Sequence, residues 1–349
     1  MRKLLIIFLI FIMCLNLSGC YDSKEISRLA FVMAIGFDEG SYSFQLVKPS
    51  AFEGDGGDDS PLLTLTVEAP DVYMAMEQLN SSISEKCDYS HIKMVIFSQE
   101  KLQQGIESEI NAILKSNDFH PNTRIAMCEG KVSEYMADME IPLDANPAEY
   151  YENIFKQGYT DYAPDVKLKD MQKNFKTHIS GNVLPLLNSK KGMAVTRGYI
   201  LTGIADTDET FIYNLLKNKN FEGNYSPINS VVLSLKKKSC SFTVDLSEKT
   251  PFVTVNLRLD GNIIHSSGDV NKDILKVQTT EKIASDITGF LYKTSTQYKA
   301  DILELYRLAK MQYTTVAAWE KEDWQGLFEK ANYNVNVSVE IKREGLYIN

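Results

Sequence analysis

Histidine is scarce, with only His91, His120, His178 and His265 in 349 residues. None has a second histidine three or four positions away, the spacing by which one helical face grips zinc. The sequence has no Gly-x-Ser-x-Gly elbow, His-Glu-x-x-His helix, phosphate-cradling Walker loop or dinucleotide fingerprint, so the common enzyme motifs are missing. Cysteine is sparse and widely scattered: Cys14, Cys20, Cys87, Cys128 and Cys240. That spacing gives neither a disulfide framework nor a metal-binding pair, and Cys87, Cys128 and Cys240 read as small buried hydrophobes. Basic residues are outnumbered, 37 Lys+Arg against 46 Asp+Glu, for a formal charge of −9. Without a basic field to displace counterions, nucleic acid is excluded as a partner.

Long apolar runs are also lacking, except at the N-terminus. Arg2 and Lys3 precede Leu4–Leu17, which is apolar apart from Asn16. As a helix this run is about 21 Å long, short of the roughly 30 Å bilayer core. It reads as a signal-peptide core. Leu17-Ser18-Gly19-Cys20 follows and matches the lipobox of bacterial lipoproteins. Small residues there admit the peptidase, and the Cys20 thiol is the nucleophile that takes a diacylglycerol thioether. The amine freed by cleavage before Cys20 is a second acylation point. Removing Arg2 and Lys3 with residues 1–19 leaves 35 basic against 46 acidic residues, a formal charge of −11. Anionic headgroups repel such a body, so attachment to the membrane rests on the lipid.

The remaining residues read as packed domains, with 44% hydrophobic and 10% aromatic residues. Strands are expected at Tyr42–Pro49, Leu62–Ala69, Lys93–Phe97 and Arg124–Glu129. Helices are expected after Asp71 (Val72, Met76, Leu79, Ile83), around Ile106–Leu114, at Val132–Met139, and near Tyr150–Phe155 and Leu168–Phe175. A boundary is expected near Asn188–Gly192. Beyond it, Met193–Leu201 reads as one strand and Asp208–Lys217 as a short helix. Three further strands are expected at Ile228–Leu235, Ser241–Ser247 and Phe252–Leu259. A single apolar stripe runs from Ile283 through Phe290 and Tyr298 to Ala309, predicting one long helix. It should pack on a last strand whose dry face carries Tyr333, Val335, Val337, Val339 and Ile341. The fold class is α+β, with sheets packed against helices. The division is 1–19 signal peptide, 20–188 N-terminal region, in one or two parts, and 193–349 C-terminal domain.

Other features have ordinary explanations. The acidic run Glu53–Asp59 lacks calcium-loop spacing and reads as a hairpin tip. Lys236-Lys237-Lys238, ending a strand, reads as a charged hairpin turn or a guard against edge-to-edge pairing. His91 reads as a hydrogen-bonded structural residue, and Trp319 and Trp324 as packing at a helix-to-strand corner.

Four ordered blocks carry a resemblance. They are Cys20–Ile26 with Leu29–Val32 and Ile35-Gly36-Phe37-Asp38; Ser90–Lys93 through Ile96–Glu100 with Gly105-Ile106; Gly192–Val195 with Gly203 and Glu209; and Val335–Ile341 with Gly345-Leu346. Together they resemble the Ger(x)C spore germination lipoproteins, the C subunits of nutrient germinant receptors. Tyr21 stands where that family usually has tryptophan, and an aromatic–lysine pair is absent around Thr196-Arg197-Gly198. The resemblance implies a non-enzymatic subunit in three mixed α/β subdomains, without cofactor beyond the lipid on Cys20. It also implies a place on the outer face of the spore inner membrane, beside polytopic A and B subunits. The B subunit resembles an amino-acid transporter, and the A subunit is implicated in ion passage. The alternative class is the solute-binding lipoprotein of a transporter, which would show two similar lobes around a cleft.

Overall fold

The computed structural model describes residues 29–47, 62–139, 147–155, 163–174, 181–187, 192–248 and 250–344. The signal-peptide reading, Cys20, the Glu53–Asp59 run, His178, Asn188–Lys191 and Gly345-Leu346 lie outside them.

The first sheet has six strands: β1 (Leu29–Phe37), β2 (Ser41–Val47), β3 (Leu62–Glu68), β4 (Lys86–Asp88), β5 (Met94–Ser98) and β6 (Arg124–Cys128). Its order is β3-β2-β1-β5-β6, with short β4 beside the start of β1. β2 and β3 pair antiparallel, while β1, β5 and β6 run parallel. β1 was not anticipated as a strand. Successive residues of these strands enter two different cores: Val95 and Phe97 go one way, and Met94 and Ile96 the other. A strand buried on both faces shows no polar alternation.

One face is covered by α1 (Val72–Ser82), α2 (Gln99–Gln104) and α3 (Glu107–Lys115), which supply Leu79, Leu102 and Ile110. Asp71 caps α1 by accepting from Met74 N at 2.9 Å. The other face takes α4 (Val132–Ala137) and α5 (Pro147–Asn153), with Tyr151 buried and donating to Gln45 Oε1. After α6 (Leu168–Asn174) comes a three-stranded antiparallel sheet, β7 (Gly181–Pro185), β8 (Met193–Arg197) and β9 (Ile200–Ala205). The expected single strand Met193–Leu201 is therefore a hairpin, because the chain turns at Gly198 with φ of 60°. This sheet joins chain from both sides of residues 188–191, and Leu187 N continues it onto β6 by bonding to Met127 O at 2.8 Å.

α7 (Thr207–Lys217) opens with a capping box between Asp206 and Glu209. The last sheet is β10 (Glu222–Ile228), β11 (Val231–Asp245), β12 (Phe252–Ser266) and β13 (Asn332–Glu344), in that order. The two strands expected at 228–235 and 241–247 form one fifteen-residue strand with a bulge between Lys237 and Ser239. The lysine triplet is therefore mid-strand, not a turn. Lys236 pairs with Glu222 and Lys238 with Asp260, while Lys237 Nζ donates to Leu215 O at 2.8 Å and Leu216 O at 3.3 Å. Those are last-turn carbonyls of α7, which have no partner within their own helix. β13 keeps one dry and one wet face yet pairs parallel with β12.

The crossover between β12 and β13 is α8 (Lys272–Thr296), α9 (Tyr306–Lys310), α10 (Val316–Trp319) and α11 (Trp324–Phe328). α8 stops at Thr296, short of Ala309. The stripe continues through a non-helical turn, where Lys299 and Glu304 take positive φ of 51° and 60°. The three sheets differ in strand number and order, unlike the paired lobes of a solute-binding lipoprotein. Among the described residues no helix is long and apolar enough to cross a membrane.

Candidate functional site

Among the described residues, those that carry chemistry do not converge. His91 is exposed, 3.1 Å from Ser90 Oγ, with its ring 4.5 Å from that of Phe31. His120 Nδ1 accepts from Asn122 N at 3.1 Å, and His265 lies at the far end of β12. Cys87, Cys128 and Cys240 are free thiols; the first two are buried and Cys240 is half-buried. Burial pushes the Cys128 thiol up to about 12, which leaves no thiolate for nucleophilic work. Among the described residues no cluster of three His, Cys, Asp or Glu is arranged to hold a metal.

Parallel strands usually present a ligand crevice at their C-terminal ends, where helix N-termini attract anions. Here the ends of β1, β5 and β6 form such a crevice, with the starts of α2 and α4 beside it. The chain fills the α4 position itself: Asp38 accepts from Val132 N at 2.8 Å and Ser133 N at 3.0 Å. Ser98 Oγ accepts from Lys101 N at 3.2 Å at the start of α2. Glu39, Glu68 and Glu100 surround the opening and repel an incoming anion. Asp38→Ala should therefore cost about 1–2 kcal/mol of stability by uncapping α4. Denaturant unfolding measures it, and an unchanged midpoint would contradict the cap.

Among the described residues that carry the family resemblance, Gly36, Asp38, Gly203 and Glu209 serve packing and capping. Gly36 lies under α4, where a Cβ would run into the Val132 side chain. Gly203 faces the Tyr298 ring with no room for a Cβ. Tyr298 OH donates to Glu209 Oε2 at 2.9 Å, and Glu209 also pairs with Lys293 of α8 at 2.5 Å. One carboxylate thus ties the start of α7 to the end of the long helix.

Next to this tie lies a buried acid that sequence reading missed. Asp301 is 1% exposed and accepts from Leu305 N at 2.9 Å, Tyr306 N at 2.7 Å and Trp324 Nε1 at 3.1 Å. Its own carbonyl accepts from Gly181 N of β7 at 3.2 Å. Burial raises its carboxyl to about 6, against the pull of those donors. The signal was present in the sequence: a lone acid inside the apolar stripe Tyr298, Ile302, Leu305. Trp324 is buried as expected, and so is Trp319, with ring centroids 6.0 Å apart.

A cleft of about 890 Å3 lies between the α2–α3 junction, the β8–β9 turn and α11. Ile106 N donates to Tyr199 O across its base at 3.2 Å. Glu107, Glu322 and Asp323 line it with Arg197. This is a polar seam between the two halves of the chain, with no nucleophile–base pair. The arrangement as a whole is suited to holding a rigid shape and presenting surfaces.

The family described as "Spore germination protein N-terminal domain" matches residues 22–189, and "Spore germination B3/ GerAC like, C-terminal" matches residues 191–345. Spore germination protein KC of Bacillus subtilis (strain 168) is 22% identical over 213 residues, covering 56% of this chain and 52% of that protein. Against KC, then, the chain spans about half its relative's length. Spore germination protein B3 of the same organism is 17% identical over 360 residues, covering 95% of each chain. The crystal structure of the GerBC protein shares the fold, with a TM-score of 0.58 at 13% identity over 87% of this chain and 94% of that one. With the two family matches together running from residue 22 to 345, the chain belongs to the GerAC family of spore germination proteins.

Proposed function

We propose that this chain is a non-enzymatic subunit of a spore germinant receptor, needed for receptor assembly and signal transmission. We further infer that Cys20 carries the lipid that holds it on the outer face of the membrane. The observation that carries this reading is the match of the chain to both halves of one family. The family is not a known enzyme family. Leu17-Ser18-Gly19-Cys20 supports the anchor. The partners are two polytopic subunits, A and B, with the surfaces of regions 20–188 and 193–349 available for docking; no nucleic acid and no cofactor take part.

The test is to purify the tagged chain from spore membranes in mild detergent and identify what accompanies it by mass spectrometry. Two polytopic proteins, one of them transporter-like, are expected. Recovery of an ATP-driven permease would overturn the receptor assignment and restore the solute-binding class.

A further inference from the structure

β13 is the last strand of its sheet, and among the described residues nothing pairs with its outer edge. Thirteen residues at about 3.3 Å each make an edge roughly 40 Å long. Proteins normally guard such an edge with lysine, proline, a bulge or brevity. The opposite edge of this sheet is guarded: β10 has seven residues, carries Pro227, and slips register between Tyr225 and Ile228. β13 carries a lysine, Lys342, and a bulge only near its end; over Asn332–Val339 it has neither, and there is no charge, no proline and no glycine.

A second observation falls at the same edge. Tyr292 of α8 is 39% exposed, and its ring stands edge-on against Tyr333 of β13 at 5.0 Å. Ile274 and Val277 of the same helix are 57% and 55% exposed. Unpaired backbone and the part-exposed Tyr292 ring thus meet along one side of the last sheet.

We propose that this edge is a self-association surface, where β13 pairs antiparallel with β13 of a second copy of the chain about a two-fold axis. The strand's own sequence selects the occupant. Centred on Asn336, antiparallel pairing sets Val335 against Val337, Tyr333 against Val339 and Asn334 against Ser338. Each partner then shows apolar residues to apolar and polar to polar, with Asn332 against Glu340 at the ends, and no like charges meet within Asn332–Glu340. That local neutrality matters in a chain whose formal charge is −9. An isologous contact of this kind closes on itself and joins two four-stranded sheets into one. Asn336 already donates to Asn256 Oδ1 at 3.0 Å on the wet face, and a second copy extends that row of amides.

Light scattering on the full chain in mild detergent tests this, with wild type expected to dimerise. Asn336→Lys puts two like charges opposite each other at the axis and should weaken association by about tenfold or more. Asn336 is exposed, so the variant should keep the wild-type fold and melting curve. Asn336→Cys should form a disulfide-linked dimer on mild oxidation, whereas Asn256→Cys, one strand inward, should not. A wild-type chain that stays monomeric at every concentration overturns the proposal and leaves the edge to another protein's strand. A dimer indifferent to Asn336→Lys, or cross-linking through Asn256→Cys but not Asn336→Cys, overturns it as well.

Discussion

Replacing Asp301 by alanine is expected to lower the stability of the fold by about 3–5 kcal/mol at neutral pH, because it strands three buried donors at once. Leu305 N, Tyr306 N and Trp324 Nε1 have no route to water where this side chain is 1% exposed. Asp301→Asn restores volume but turns an amide N–H2 toward donors, so it should recover only part of the loss. The pH profile supplies an independent check. The folded carboxyl titrates near 6 and the free one near 3.8, so between those values the native state holds a proton that the unfolded chain has released. Stability from this group is complete below about pH 4 and falls as pH rises through 6, by roughly 3 kcal/mol in all. Denaturant midpoints measured from pH 4 to 7 should show that decline in wild type and not in Asp301→Ala. Identical profiles for the two proteins would remove Asp301 from its assigned role.

Replacing Cys20 by alanine should abolish incorporation of a labelled fatty acid. Each buried methylene contributes about 0.8 kcal/mol, so losing two acyl chains lowers membrane affinity by many orders of magnitude. The body without residues 1–19 offers little to compensate, with 46 acidic residues against 35 basic ones. The measurement is fatty-acid labelling followed by mass analysis of the N-terminal peptide. Label retained by the variant would place the lipid elsewhere and defeat the lipobox reading.

Much of the architecture was legible wherever one face of an element meets water. β13 displays Val335 and Val337 inward and Asn334 and Asn336 outward, and its pattern alone defines it. The α1 helix announces itself through Asp71 and the spacing of Val72, Met76 and Leu79. Legibility failed where that contrast vanishes. β1 carries apolar side chains to both faces, so nothing in its pattern separates strand from buried helix. The Lys236–Lys238 run misleads because charge normally marks a turn. Each lysine there has a partner set by tertiary structure: Glu222, the end of α7, or Asp260. The stripe from Ile283 to Ala309 overstates α8, because periodicity does not register positive φ at Lys299 and Glu304.

The candidate site was legible in a different sense. The blocks Ile35–Asp38 and Gly203 with Glu209 were visible as a family likeness, but their physical roles depend on residues far away in sequence. Asp38 caps a helix that starts at Val132, and Gly203 makes room for Tyr298. No local pattern encodes such pairings.

The parallel pairing of β12 with β13 also constrains how the molecule comes into being. β10, β11 and β12 follow one another through short connections, so their antiparallel pairs close early. β13 must then find β12 across Ser267–Ala331, and closing so long a loop is entropically slow. On a chain made from its N-terminus, the dry face of β12 waits uncovered through the synthesis of four helices. The last sheet should accordingly be the slowest part of the molecule to fold and the part most exposed to aggregation before it closes.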